Sequence, residues 1–258
     1  MSKTQYENMQ KFSKSDKEIE IMKKSGQICA NALKKVLEDI KPGTKLLNLD
    51  RIASKELERQ GASSSFKTVE DYKYTICTTV NEQVVHGIPN DRVLEEGDII
   101  GIDIGALYKN YHSDLAITVP VGETSEDTEI FLNVGKTTLY EAINKAKVGN
   151  TIGDISETIQ NRIEGSGYSI VKNLTGHGVG RELHEEPMVP GFGKKGTGPK
   201  LVENMTIAIE IIYTKGSGEV VLGKDNWTIS SKDKSIGGLF EQTIAINKNG
   251  PIVLTPYF

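Results

Sequence analysis

Cysteine is scarce in this chain. Only Cys29 and Cys77 occur in 258 residues, with no paired framework. That excludes a scaffold built on disulfides and fits a reducing, cytoplasmic compartment. No apolar run approaches membrane length, and the opening MSKTQYENMQKFSKSDKE has no signal-peptide core. Neither a membrane span nor export is expected. Lysine and arginine form no dense stripe and the formal charge is −4, which excludes a nucleic-acid footprint. What is present is a 37% apolar composition, enough for one large core or two small ones.

Residues 1–14 are polar and read as a flexible arm. Ser15 with Glu18 forms a capping box, and Ile19, Met22, Ile28, Cys29, Leu33 and Val36 keep helical spacing up to Pro42–Gly43. A second helix runs through Leu49, Ala53 and Leu57 to Gly61. A loop with Phe66, Tyr72 and Tyr74 leads into a strand over Thr75–Val80, and NEQVVHGIPN follows. The same order then begins again. With Gly43 set on Gly149, Leu46, Leu49, Ala53, Leu57 and Gly61 fall on Ile152, Ile155, Ile159, Ile163 and Gly167. Leu94–Asp103 lies on Leu201–Glu210 without a gap, and His86-x-x-Pro89 on His184-x-x-Pro187. Amphipathic helices resemble one another easily, but the paired His-x-x-Pro segments are harder to assign to chance. The copies are roughly a hundred residues long, which is outside the solenoid range. They predict two α+β halves, about 15–125 and 126–258, related by a pseudo-twofold axis.

The segment LEEGDIIGIDIGALYKNYHSD carries Asp103 within an apolar alternation and Asp114 after a turn at Lys109–Asn110. Leu115–Val119 reads as the returning strand, so a hairpin would set both carboxylates on one sheet face. Buried acids need a positive partner. An arginine and a metal ion are both open at this point. The duplication adds Glu210, the counterpart of Asp103, read as ending the strand Met205–Glu210. Glu241 is another acid in an apolar alternation. His177 lies between glycines in GHGVGRELHEEP, where a ligand or substrate can approach closely. His112 is expected to orient its hairpin or face solvent and is left out of the site. Four carboxylates and one imidazole would balance two divalent ions of Mn, Fe(II), Co or Zn type. Such a pair acidifies a bridging water and polarises a carbonyl, so metal-assisted hydrolysis is the natural reaction class.

Asp103, Asp114, His177, Glu210 and Glu241, together with NEQVVHGIP and GHGVGRELHEEP, resemble the methionine aminopeptidases from about Ser15 onward. The resemblance implies a duplicated pita-bread (creatinase/aminopeptidase) α+β fold. It has a central antiparallel sheet covered by helices and forms one catalytic domain over 15–258. It implies hydrolysis of the initiator methionine from nascent chains and peptides with a small second residue. Asp103 would hold one metal, His177 and Glu210 the other, with Asp114 and Glu241 bridging. His86 would contact the scissile amide nitrogen, His184 the substrate carbonyl, and Glu210 would move the proton. Tyr72, Cys77, Leu183 and Trp227 would line the methionine pocket, although Cys77 could equally be plain core. Nascent polypeptide N-termini are the implied substrates, the ribosome is a candidate docking partner, and a monomer is expected.

Only 23 positions separate Pro187 from Glu210, so the long insertion of the type II enzymes is missing. No cysteine-rich module precedes Ser15. The chain looks like a bacterial-style type I enzyme. It departs from the common family pattern at Ile211, Gln242, Val69 and Leu183. Gln242 is expected to alter how the ligands are tuned. A proline-directed peptidase of the same fold is one alternative. Those relatives carry an extra N-terminal domain, for which a helix starting near Ser15 leaves no room. A non-catalytic binding module is the other, disfavoured because all five ligand residues are kept.

Overall fold

In the computed structural model, residues 12–257 are described. Of the arm expected over 1–14, residues 1–11 lie outside this range. Residues 12–14 are held in place, with Ser13 bridging Met205 and the Lys14 N–H donating to Asn204 O at 2.8 Å. Helix α1 spans Asp16–Glu38 and starts on the predicted capping box. The Ser15 N–H donates to Glu18 Oε2 at 2.7 Å and the Glu18 N–H to Ser15 Oγ at 3.4 Å. Helix α2 is Leu46–Arg59, α3 Glu126–Lys145 and α4 Ile152–Gly165. Each turns an apolar stripe inward, and residues such as Leu33, Leu49, Leu139 and Ile155 are fully buried in a common core.

The principal strands are β1 (Ile76–Val80), β2 (Ile99–Tyr108), β3 (Tyr111–Pro120), β4 (Thr175–Gly178), β5 (Glu185–Pro190), β6 (Thr206–Thr214) and β7 (Gly237–Ala245). They form most of a 10-stranded antiparallel sheet running β2, β3, β7, β6, β4, β5, with β1 beside β2. Two strands are longer than the sequence suggests. β3 begins at Tyr111 rather than Leu115, because the turn at Lys109 and Asn110 (φ 50° and 64°) lets pairing start immediately with Tyr108. Glu210 stands in the middle of β6, not at its end. Ile211–Thr214 go on pairing with β7, and Ile211 keeps a backbone N–H that lets the ladder continue.

The duplication is visible in the hydrogen bonds themselves. The Gly43 N–H donates to Leu94 O at 2.8 Å, and the Gly149 N–H to Leu201 O at 3.0 Å. The Leu46 N–H donates to Arg92 O at 3.1 Å, and the Ile152 N–H to Pro199 O at 2.9 Å. The aligned glycines share left-handed backbone, Gly43 and Gly149 at φ 90° and 92°, a region other residues rarely enter. The sequence alignment thus matches the spatial one, with Asp103 and Glu210 as counterparts. Ile100, Ile102, Ile104, Ile207, Ile209 and Ile211 face the helices. By strand alternation the intervening residues, Asp103 and Glu210 among them, face the other way.

Candidate active site

Register alone assembles the carboxylates. Asp103 pairs with Ala116, Ala116 with Glu241, and Glu241 with Glu210. This gives one row across four strands on the face away from the helices. Asp114 is two residues from Ala116 on that face, and His177 lies opposite Ala208, two residues from Glu210. Ala116 puts only a methyl group at the middle of the row, so the acids can converge there. On the far side of β2, Cys77 pairs with Asp103 and Thr79 with Gly101.

The two halves meet along a short seam. Between β3 and β7 the only register pairs are Glu241–Ala116 and Gln242–Leu115. At one end the Thr243 hydroxyl accepts from the Asp114 N–H and donates to Asp114 O, both at 2.8 Å. At the other end Thr118 makes the same double contact with Leu239, at 2.9 and 3.0 Å. These hydroxyls stand in for direct backbone pairing and open the seam where Asp114 and Glu241 sit.

A single pocket is lined by every residue singled out from the sequence: Tyr72, Cys77, His86, Asp103, Asp114, His177, Leu183, His184, Glu210, Trp227 and Glu241. It also takes in Phe66 and Val69. Phe66 was not expected. It stands in a 3-10 turn, Phe66–Thr68, with no periodic signal, and makes an edge-on contact with Tyr72 at 6.3 Å between ring centres. Trp227 packs on Tyr72 at 5.0 Å. Phe66, Tyr72, Cys77 and Leu183 form a small apolar cluster beside the acids. Cys77 is both core and pocket wall.

Asp114, His177 and Glu241 can bring ligand atoms within 4.8 Å of one another. His177 Nε2 lies 3.5 Å from Glu210 Oε1 and 3.9 Å from Asp114 Oδ2. Its Nδ1 is 2.8 Å from Gly178 O and must donate there, which leaves the Nε2 lone pair aimed at the acids. Burial holds His177 neutral, its pKa lowered to about 4. His86 and His184 stand at the mouth, and enclosure lowers both of theirs as well.

The acids show what the site requires. Burial pushes Asp103 up to about 7. Asp114, Glu210 and Glu241 are also raised, first by burial and then by repulsion from neighbouring carboxylates. Asp103 Oδ1 and Glu241 Oε1 are buried without a hydrogen-bond partner. Among the described residues no lysine or arginine lines this pocket, so the arginine alternative fails. Orphaned carboxylate oxygens beside a free imidazole nitrogen fit divalent cations.

Two departures from the family pattern, Ile211 and Gln242, fall off this face, while Val69 and Leu183 line the pocket itself. Gln242 alternates away from Glu241, and its Nε2 donates to Thr255 O at 3.0 Å, so it ties down the C-terminal segment instead of tuning the ligands. His112 is buried. Its Nδ1 is 3.0 Å from Ser65 Oγ and its N–H donates to Gly180 O at 2.8 Å. It orients the hairpin and does not meet solvent. The two His-x-x-Pro segments share the pocket but differ in backbone, His86 being left-handed at φ 58°.

These shifts predict an unusual pH dependence for chelator-treated protein. A raised acid keeps its proton in the folded state after the unfolded chain has lost it, so stability falls as pH rises through that interval. For Asp103 the interval runs from 3.8 to about 7. His177, lowered from 6.5 to about 4, acts in the opposite direction below 6.5. The acids therefore act unopposed by His177 above that value. Thermal unfolding in chelator should show stability dropping from about pH 6.5 to 8, and a divalent ion should abolish the drop. A flat profile in chelator would contradict the assignment.

Comparison with known proteins gives a consistent likeness. Metallopeptidase family M24 matches residues 20–248. The chain is 42% identical over 242 residues to methionine aminopeptidase 1 of Bacillus subtilis, covering 94% of this chain and 98% of that protein. It superposes on the crystal structure of methionine aminopeptidase from Thermotoga maritima with a TM-score of 0.92 and 40% identity, covering 94% of this chain and 98% of that one. The prolidase of Pyrococcus horikoshii shares the fold at a TM-score of 0.79 and 29% identity, and the chain covers 64% of it. Among the described residues no helix is long and apolar enough to cross a membrane.

Proposed function

The chain belongs to metallopeptidase family M24, and from that premise we propose that it is a methionine aminopeptidase that removes the initiator methionine from polypeptide N-termini carrying a small second residue. The observation that carries this reading is the direct abutment of two unlike surfaces. A converging set of buried acids and one imidazole stands beside an apolar wall of Tyr72, Cys77, Leu183 and Trp227. The wall suits a thioether, which is polarisable and packs well against aromatic rings.

Asp103, Asp114, His177, Glu210 and Glu241 would hold two divalent ions. When bound, the ions supply Lewis acidity and an acidified water. The remaining work falls to the chain. Glu210 is half-buried and faces the pocket across from Glu241, which suits it to take a proton and pass it on. His184 at the mouth would donate to the substrate carbonyl, and His86 would contact the scissile nitrogen. Both are held toward the neutral form, so each keeps one donor and one acceptor nitrogen. The side-chain pocket would fix the first residue with its amine toward Asp103, limiting attack to chain starts.

A peptide panel tests this reading. Protein loaded in turn with Mn, Co, Fe(II) or Zn should release methionine from Met-Ala-x and Met-Gly-x peptides and lose that activity in chelator. Cleavage of x-Pro peptides without methionine release would favour the proline-directed alternative. Absence of any divalent-ion binding would favour a non-catalytic module.

A further inference from the structure

The loop Val179–His184 joins β4 to β5 and carries two pocket residues, Leu183 and His184. Glu185, the first residue of β5, does not line the pocket. Its carboxylate turns back on the loop it follows. Oε1 accepts from the Arg181 N–H at 2.7 Å and the Glu182 N–H at 3.1 Å. Oε2 accepts from Lys14 Nζ at 2.8 Å. Two successive amides in a tight loop have no ladder partner, and one charged oxygen serves both.

Gly180 fits the same arrangement. A Cβ there would lie 2.4 Å from Lys14 Cε and 2.6 Å from Glu185 Oε1. The ion pair thus passes over a position where an added side chain would have to push both partners aside. Both ends of the clamp are anchored. Lys14 is fixed through its own backbone bond to Asn204, and Gly180 O is held by the His112 N–H.

We propose that Glu185 is a positioning residue whose carboxylate fixes the loop bearing Leu183 and His184, and so sets both the pocket wall and the substrate-carbonyl contact. The inference rests on the functional reading above. Removing the carboxylate leaves two amides without a partner, and the loop must move to solvate them. Glutamine keeps an acceptor oxygen for the amides and gives up the charge pairing with Lys14, whose Nζ still has Phe12 O at 3.5 Å.

The test uses full-length protein loaded with Mn. E185A should lose about 10²-fold in kcat/KM on Met-Ala-x, the scale of a misplacement near 1 Å, with metal content unchanged. E185Q should recover most of the loss. Against a H184A background, E185A should cost little further in kcat, because both act through one contact. If E185A does not fold, G180A displaces the same clamp and should give the same loss. A readout free of turnover is the His184 ring resonance, which should shift in E185A or G180A and stay in place in E185Q. Wild-type protein that releases no methionine would count against the functional reading, while the resonance still tests the clamp. An E185A protein as active as wild type, with an unmoved His184 resonance, would overturn the role of Glu185 alone. Equal impairment of E185A and E185Q would overturn it as well.

Discussion

Asp103→Asn is expected to remove metal binding and peptide hydrolysis together while making the metal-free protein more stable. Asparagine matches aspartate in shape but carries no charge and presents an amide where a ligand oxygen was needed. Nothing nearby replaces the lost oxygen. Asp103 is flanked by Gly101 and Gly105, where a Cβ would lie 2.2 Å from Thr79 Oγ1 and 2.7 Å from Ser65 Cβ. The surroundings are already closed against a substitute side chain. Residues that merely support a metal ligand cost about 10–100-fold in metal affinity when changed, and a ligand should cost more. Stability should move in the opposite direction. The substitution deletes a buried acid whose charged form is disfavoured up to about pH 7. At pH 8 in chelator the variant should therefore unfold at a higher temperature than wild type. Titration calorimetry and thermal unfolding measure the two halves of this prediction. A variant that binds metal normally would remove Asp103 from the ligand set.

His184→Ala should behave differently, lowering kcat by roughly 10²–10³ with metal still bound and folding intact. His184 sits at the pocket mouth, where its ring makes an edge-on contact with His177 at 4.5 Å between ring centres. Little of the core depends on it, so the structural cost should stay within the range of surface substitutions. His177 keeps its bond to Gly178 O and with it the direction of Nε2. Steady-state kinetics beside metal analysis separate the two variants. Loss of metal from His184→Ala would mean that the mouth and the ligands are one structural unit.

The parts of this protein legible in its sequence are those governed by local periods. Alternation places Asp103, Glu210 and Glu241 on a face opposite the isoleucines, and the duplication relates the first two. The capping box at Ser15 and the left-handed glycines at 43 and 149 are likewise local rules. What stayed hidden depends on where distant segments meet. Phe66 enters the pocket from a turn without period. Trp227, placed in the pocket by the resemblance and by no local pattern, reaches Tyr72 because the strand segments Val220–Leu222 and Ile229–Ser231 pair beside Gln83–Val85. Glu185 carries no signal in the sequence, because its two amides lie behind it on a loop whose curvature no pattern encodes. Gln242 turns away from the acids for a related reason. Adjacency in sequence to Glu241 is, on a strand, a guarantee of facing the other way.

The matched hydrogen bonds at Gly43 and Gly149 have a consequence for symmetry. In the two halves Thr79 opposite Gly101 occupies the place of His177 opposite Ala208. A homodimer of identical half-chains would be obliged to put the same residue at both places, giving two imidazoles or none. It would likewise have to repeat the apolar wall on both sides of its axis. Joining the halves in one chain lifts that constraint. One copy contributes the nitrogen, and the other, relieved of it, lines the space with Cys77. A peptide end is itself asymmetric, with an amine on one side of the scissile bond and a chain on the other. A twofold-symmetric cleft would offer it two equivalent orientations, and the broken symmetry of this chain leaves one.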